Sequence, residues 1–189
     1  NFFSHWIKPS DKVLDLGCGY GEFINNIKAK SRLAMDLNPK TQDHLSEGIE
    51  FLRQDCSQPW PIEPATLDIV FTSNFFEHLP DKNALERTLD HIHTHLKPNG
   101  HLLMLGPNIA VLKGRYWDFW DHNIPISDAS ASELLELKGF AIEKNIPKFL
   151  PYNMSRVRKK PLFMVYVYLR CRWAWPFFGK QFFIVSRKD

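Results

Sequence analysis

The run Val13-Leu14-Asp15-Leu16-Gly17-Cys18-Gly19-Tyr20-Gly21-Glu22-Phe23 constrains the fold of this chain more than any other stretch. A short apolar run meets three alternating glycines, and a segment of helical appearance follows. That order describes a first β-strand feeding a turn in which the backbone lies against a ligand, because glycine removes Cβ where the chain turns sharply or must be approached closely. The dinucleotide fingerprint G-x-G-x-x-G/A is not met, since Glu22 stands at its sixth position. What remains is D-x-G-x-G-x-G.

Apolar runs recur downstream. Val13–Leu16, Arg32–Asp36, Ile49–Gln54, Leu67–Ser73, His101–Leu105, Phe140–Glu143 and Gln181–Ser186 read as strands, the last at a late edge of the sheet. Phe23–Ala29 is expected to be the first crossover helix. Leu85, Leu89, Ile92 and Leu96 share one face of a helix over Asn83–His95. Ser132–Leu137 reads as a helix opened by a Ser-Ala-Ser-Glu segment close to a capping box and stopped by Gly139. Strands alternating with helices predict an α/β chain with a mainly parallel sheet and helices on both faces. Ligands of such sheets sit outside the carboxyl ends of the strands, where every candidate residue below lies.

The loop at Asp15, Gly17, Gly19 and Gly21 resembles the cofactor loop of the class I S-adenosylmethionine-dependent methyltransferases. Pro59-Trp60-Pro61-Ile62 resembles that family's segment before strand four. Ser73-Asn74-Phe75-Phe76-Glu77-His78-Leu79 resembles its signature after strand four, and Leu96-Lys97-Pro98-Asn99-Gly100-His101-Leu102 its turn into strand five. The likeness keeps order and spacing over residues 11–147. It implies one Rossmann-like, doubly wound domain of seven strands over 1–189. The start at Asn1, within Asn-Phe-Phe-Ser-His-Trp, leads to the expectation that the chain is truncated at its N-terminus, and 149–178 reads as a basic, aromatic insertion before the last strand. The likeness implies S-adenosylmethionine as cofactor, held by Asp15, the loop residues Gly17, Cys18, Gly19 and Gly21, and Asp36 with Leu37 at the ribose. Asp55 and the Cys56 backbone would meet the adenine edge, and Asn74 the methionine end. Taken singly, a glycine turn is a packing device and an Asp after a strand caps a helix; their joint order carries the cofactor reading.

The cofactor would bring the reactive methyl, and the protein proximity and alignment. An oxygen or nitrogen acceptor can also need a base. His78, after strand four, and His122, in the aromatic segment 117–127, are the candidates, since histidine moves protons near neutral pH. Against this, His78 can simply bond the backbone and His122 can cap a turn. Tyr116, Trp117 and Trp120 either line a pocket or fill core beneath the loop. His91 and His95 share a helix face at i, i+4, but no carboxylate or cysteine nearby completes a tetrahedral set, so they read as a solvated surface and no metal is assigned. The Asn/Asp-Pro-Pro-Tyr/Phe motif of many amino-methyltransferases is replaced by Ser73-Asn74-Phe75-Phe76. This turns the reading toward a small-molecule, sugar or lipid-linked acceptor, methylated at oxygen. The alternatives are a non-catalytic S-adenosylmethionine-binding protein and, disfavoured by Glu22, a nicotinamide oxidoreductase.

Charge is distributed unevenly. Residues 151–189 hold nine basic side chains against Asp189 alone, while 1–150 hold 15 basic and 20 acidic. An anionic partner fits that asymmetry. Within 156–178, arginines and tryptophans flank an apolar run too short to span a bilayer, which suits peripheral membrane contact or a lipid-linked substrate. A structural cover over the sheet is the plain alternative, and nucleic acid is the least favoured partner. Three cysteines without a C-x-x-C pair argue against a disulfide or zinc framework and fit a reducing cytoplasm.

Overall fold

The computed structural model describes residues 2–152 and 162–189. Seven strands form one sheet: β1 (Lys12–Leu16), β2 (Ser31–Asp36), β3 (Ile49–Arg53), β4 (Leu67–Ser73), β5 (Leu96–Pro107), β6 (Phe140–Ile146) and β7 (Gln181–Lys188). Their order is β3-β2-β1-β4-β5-β7-β6. The first five pair in parallel, and β7 is antiparallel to both β5 and β6. The chain order reverses at β1, flanked by β2 and β4, so the loops after β1, β2 and β4 meet at one carboxyl end.

The interior strands β1, β2, β4, β5 and β7 are buried on both sides over most of their length and read as apolar runs, whereas the edge strands β3 and β6 carry exposed polar positions. One face carries Leu14, Leu33, Val70, Leu102 and Ile184 against α1 (Lys82–His95) and α3 (Asp128–Leu137). The other carries Val13, Ile69, Leu103 and Phe183 under the N-terminal turn, Phe149 and Trp175. α1 starts where the Asp81 side chain accepts from the Ala84 amide. α2 (Ile109–Leu112) is a single turn capped by Asn108. α4 (Leu162–Arg170) and α5 (Trp175–Phe178) fill the insertion before β7.

Three expectations change. The crossover helix over Phe23–Ala29 is a 3-10 turn at Ile24–Asn26. Asn25 donates to the His44 carbonyl and accepts from the Ser46 amide, and Asn26 donates to the Glu22 carbonyl; these bonds compete with helix formation. The last strand is not an edge: β7 lies between β5 and β6, which is why Phe182, Phe183, Ile184 and Val185 are all buried. Helix α3 begins four residues before the expected Ser132, because the true capping box joins Ser127 to Ser130.

Candidate active site

The glycine loop is held open by its backbone. Gly17, Gly19 and Gly21 have φ of 68°, 54° and 75°, the left-handed region that side chains with a Cβ avoid. The Gly17 amide donates to the Met35 carbonyl at 2.9 Å, anchoring the loop to the end of β2. A Cβ at Gly17 would overlap the Phe75 ring, whereas one at Gly19 would meet nothing within 4 Å. Gly19 thus faces open space at the strand ends. Asp36 accepts from the Gly19 amide on Oδ2 and from the Asn38 amide on Oδ1, each at 2.9 Å. Its carboxylate is fixed at the lip of the loop with lone pairs to spare. Leu37 beside it is exposed.

Two unpaired groups lie behind the loop. Asp15 is 3 % exposed, and its Oδ2 has no partner among the described residues. Burial pushes its carboxyl from the ordinary 3.8 up to about 8; the Ile24 amide pulls the other way, and the charges of Glu22 and Asp36 add to the rise. Asn74, at the end of β4, has φ 50°, a strained setting for a residue with a Cβ. Its amide donates to the Leu105 carbonyl and its Nδ2 to Ser73 Oγ, leaving Oδ1 buried and unpaired. An unpaired carboxyl and an unpaired amide oxygen behind an open glycine turn fit a ligand carrying an ammonium group, as the implied cofactor does.

The adenine-side candidates diverge. Asp55 is exposed and its Oδ1 accepts from both the amide and the hydroxyl of Ser57. Cys56 turns its thiol inward to Thr88, its carbonyl accepts from Trp60 Nε1, and burial pushes the thiol up to about 11. Only its backbone is offered to a ligand. Cys18 is likewise buried, with its thiol pushed well up. Both thiols are inert as nucleophiles.

The two candidate histidines, 44 positions apart in the chain, come together, with ring centroids 5.1 Å apart. His78 Nδ1 lies 3.0 Å from the Asp121 carbonyl and 3.2 Å from its Oδ2. His122 is buried, stacked on Phe119, with Nε2 3.3 Å from the Tyr152 hydroxyl and Nδ1 unpaired. Burial lowers its pKa, and His78 lowers it further. Glu77, absent from the sequence candidates, is 1 % exposed with Oε1 unpaired and 3.9 Å from His78 Nε2. Burial pushes Glu77 up to about 8. Its carbonyl accepts from the amides of Asn123 and Ile124, which fastens the 117–127 segment to the end of β4. One potential ligand atom from each of Glu77, His78 and His122 lies within 4.8 Å of the other two.

Tyr116 is wholly buried and donates to the Ile124 carbonyl, so it supports the loop from beneath, whereas Trp120 is fully exposed and Trp117 half exposed. His95 is not solvated: it is buried and stacked on Trp60, with Nδ1 2.7 Å from the His91 carbonyl. A cavity of about 290 Å³ lies between α1, α3 and Ile124–Ile126, and no glycine-loop residue lines it. Burial, which the sequence does not show, is what singles out Glu77: a carboxylate enclosed with Phe76 and Leu79 has no ordinary packing role. Tyr152 carries no local signal at all.

Comparison with solved structures supports the fold. The chain is 20 % identical to a SAM-dependent methyltransferase from Archaeoglobus fulgidus, with TM-score 0.72, 98 % of this chain and 90 % of that one covered. It is 17 % identical to an S-adenosylmethionine-dependent methyltransferase from Mesorhizobium loti, with TM-score 0.70 and coverages of 99 % and 95 %. It is also similar to the [4+2]-cyclase SpnF, at 16 % identity and TM-score 0.68, covering 98 % of this chain and 78 % of that one. A search of curated proteins found no match. A family model described as a methyltransferase domain matches residues 1–145. The chain therefore belongs to that methyltransferase family, and its sheet is that of S-adenosylmethionine-dependent methyltransferases.

Proposed function

We propose that this enzyme transfers the methyl group of S-adenosylmethionine to an oxygen of a small or lipid-linked acceptor. The observation that carries the reading is the pairing of two half-sites at one end of the sheet. The glycine turn with Asp15, Asp36 and Asn74 suits the cofactor. The buried, unpaired polar atoms of Glu77 and His122, with His78 beside them, suit an acceptor hydroxyl that must lose a proton. When bound, the cofactor supplies an electrophilic methyl. This chain's residues orient it, shield it from water and act on the acceptor oxygen. His78 and His122 serve the acceptor, not the cofactor.

A lipid-linked acceptor is favoured by α4. Phe163, Met164, Tyr166 and Val167 on this helix are each about half exposed or more, and so are Phe177 and Phe178 on α5. Arg170 and Arg172 flank them, a composition suited to the interface of an anionic bilayer. Arg156, Arg158, Lys159 and Lys160 lie outside the described residues. No helix among the described residues is long and apolar enough to cross a membrane.

S-adenosylhomocysteine is expected to raise the melting temperature and NAD to leave it unchanged; the reverse result removes the cofactor reading. Labelled methyl from S-adenosylmethionine is expected to enter the lipid fraction of a cell extract. Label in the aqueous fraction alone would refute the lipid-linked acceptor, and label in neither would favour a non-catalytic binding protein. Co-sedimentation with phosphatidylglycerol vesicles but not with phosphatidylcholine vesicles is expected, and its loss in Phe163→Ser/Val167→Ser checks that α4 is the contact.

A further inference from the structure

We propose that Glu77, His78 and His122 form the site of a divalent transition-metal cation that holds the acceptor oxygen. This rests on the acceptor-side reading above and deepens it. The ligands come from two loops: Glu77 and His78 follow β4, and His122 arrives from the segment after β5. One atom from each stands within 4.8 Å of the other two. Glu77 and His122 are 1 % and 4 % exposed, and Glu77 Oε1 and His122 Nδ1 have no hydrogen-bond partner among the described residues. Two buried lone-pair donors left unpaired in one place carry an uncompensated desolvation cost, and a shared cation turns both into ligands.

The remaining nitrogens are arranged as metal-binding histidines require. His78 Nδ1 is engaged by Asp121, which leaves Nε2 toward Glu77. His122 Nε2 is engaged by the Tyr152 hydroxyl, which leaves Nδ1. Such outer partners fix the tautomer and aim the ring. Bonds of about 2.0–2.2 Å put neighbouring ligand atoms roughly 3–3.5 Å apart, so the cluster must draw in by up to about 1.5 Å. His78, with its side chain 33 % exposed on a one-turn 3-10 segment, has the freedom to do so.

Two imidazoles and one carboxylate favour zinc, manganese or iron over magnesium or calcium, which take oxygen ligands. Three protein ligands leave positions open, and a hydroxyl oxygen entering one of them loses its proton more readily. The rival pair, His91 and His95, has no third ligand: among the described residues only Glu77, His78 and His122 form a group of three potential ligands.

The full chain, stripped with a chelator, would be titrated with Co²⁺ as a spectroscopic probe and with Zn²⁺ by calorimetry. One equivalent should bind, with the visible absorption of nitrogen- and oxygen-ligated cobalt. Glu77→Gln and His78→Ala should each weaken binding about tenfold or more, and His91→Ala should change nothing. Circular dichroism melts check folding, and the partly exposed His78 provides a variant that tests the site even where Glu77→Gln fails to fold. Failure to bind one equivalent overturns the site, as does binding that His91→Ala removes and His78→Ala spares. Titration of the same sample with S-adenosylhomocysteine separates the two readings. Cofactor binding without metal binding overturns the site alone. Metal binding without cofactor binding supports the site and overturns the methyl-transfer reading.

Discussion

Replacing Asp15 with asparagine should stabilise the protein, and the gain should grow with pH. Asp15 is buried with one oxygen unpaired, and its carboxyl is pushed from 3.8 to about 8. In the unfolded chain it ionises near its ordinary value, so between these limits folding takes up a proton. A raised folded-state pKa gives stability that is complete below the unfolded value and lost as pH rises through the folded one. The slope is about 1.4 kcal/mol per pH unit. At neutral pH the loss reaches about 4 kcal/mol. Asparagine has the same shape and no charge to suppress. Its oxygen can keep the Ile24 amide, while its NH₂ inherits the unpaired position at a cost of about 1–3 kcal/mol. The variant should therefore fall below the wild type by up to about 1–3 kcal/mol near pH 4, and exceed it by on the order of 1–3 kcal/mol near pH 7. Urea unfolding of both proteins across this range reads the difference, in which groups common to both cancel. A difference that stays flat with pH would mean that Asp15 is ionised in the fold and that its desolvation is not the cause of the shift.

The same carboxyl ties cofactor binding to protons: an ammonium group beside Asp15 favours the ionised form. S-adenosylhomocysteine should then release a proton on binding near neutral pH, seen as a calorimetric enthalpy that depends on buffer ionisation heat, and Asp15→Asn should abolish that dependence. Gly17→Ala should cost about 1–2 kcal/mol of backbone strain plus displacement of the Phe75 ring. Adding Phe75→Ala should relieve only the second part, which a double-mutant cycle in urea measures. Asp36→Ala removes a carboxylate that already fastens the Gly19 and Asn38 amides. Affinity for S-adenosylhomocysteine should fall about a hundredfold, as expected for losing two hydrogen bonds to a charged group, and an unchanged affinity would remove the ribose assignment.

The glycine turn proposed for the cofactor is legible in the sequence because its determinants are local. Asp15 to Gly21 is one strand and one turn, and the glycines at 17, 19 and 21 do in the structure what their spacing requires, all three at positive φ. Asp36 could be placed because β2 is a plain apolar run with a definite end. The acceptor half was legible only in pieces. His78 and His122 were each credible alone, but nothing local brings them together; the bonds from the Asn123 and Ile124 amides to the Glu77 carbonyl do. Glu77 has no local signal, because its burial is a tertiary property. The expected helix at Phe23–Ala29 failed for a local reason, the two asparagines that spend their side chains on neighbouring backbone. The edge position of β7 failed for a topological one, because no residue pattern distinguishes a strand inserted between β5 and β6 from one laid beside them.

The two halves also differ in how they are fastened to the rest of the molecule. The glycine loop hangs from β1 and β2, in the most regular part of the sheet. The His122 ring meets the Tyr152 hydroxyl, and the two residues after it, Asn123 and Ile124, donate their amides to the Glu77 carbonyl. Tyr152 follows Leu150 and Pro151, whose carbonyls accept from Lys180 and Gln181 at the start of β7. The same stretch is gripped from α4, where the Tyr168 hydroxyl donates to the Phe149 carbonyl at 2.7 Å. The exposed apolar helix and the buried histidine therefore share one short strap of chain. A surface that pulled on α4 would act on Phe149, which is tied to β7 through the Gln181 carbonyl and the Phe183 ring, and on Tyr152 three residues along the same strap. On the reading proposed above, docking of α4 on a bilayer is coupled through this strap to His122, in the half of the site that receives the acceptor.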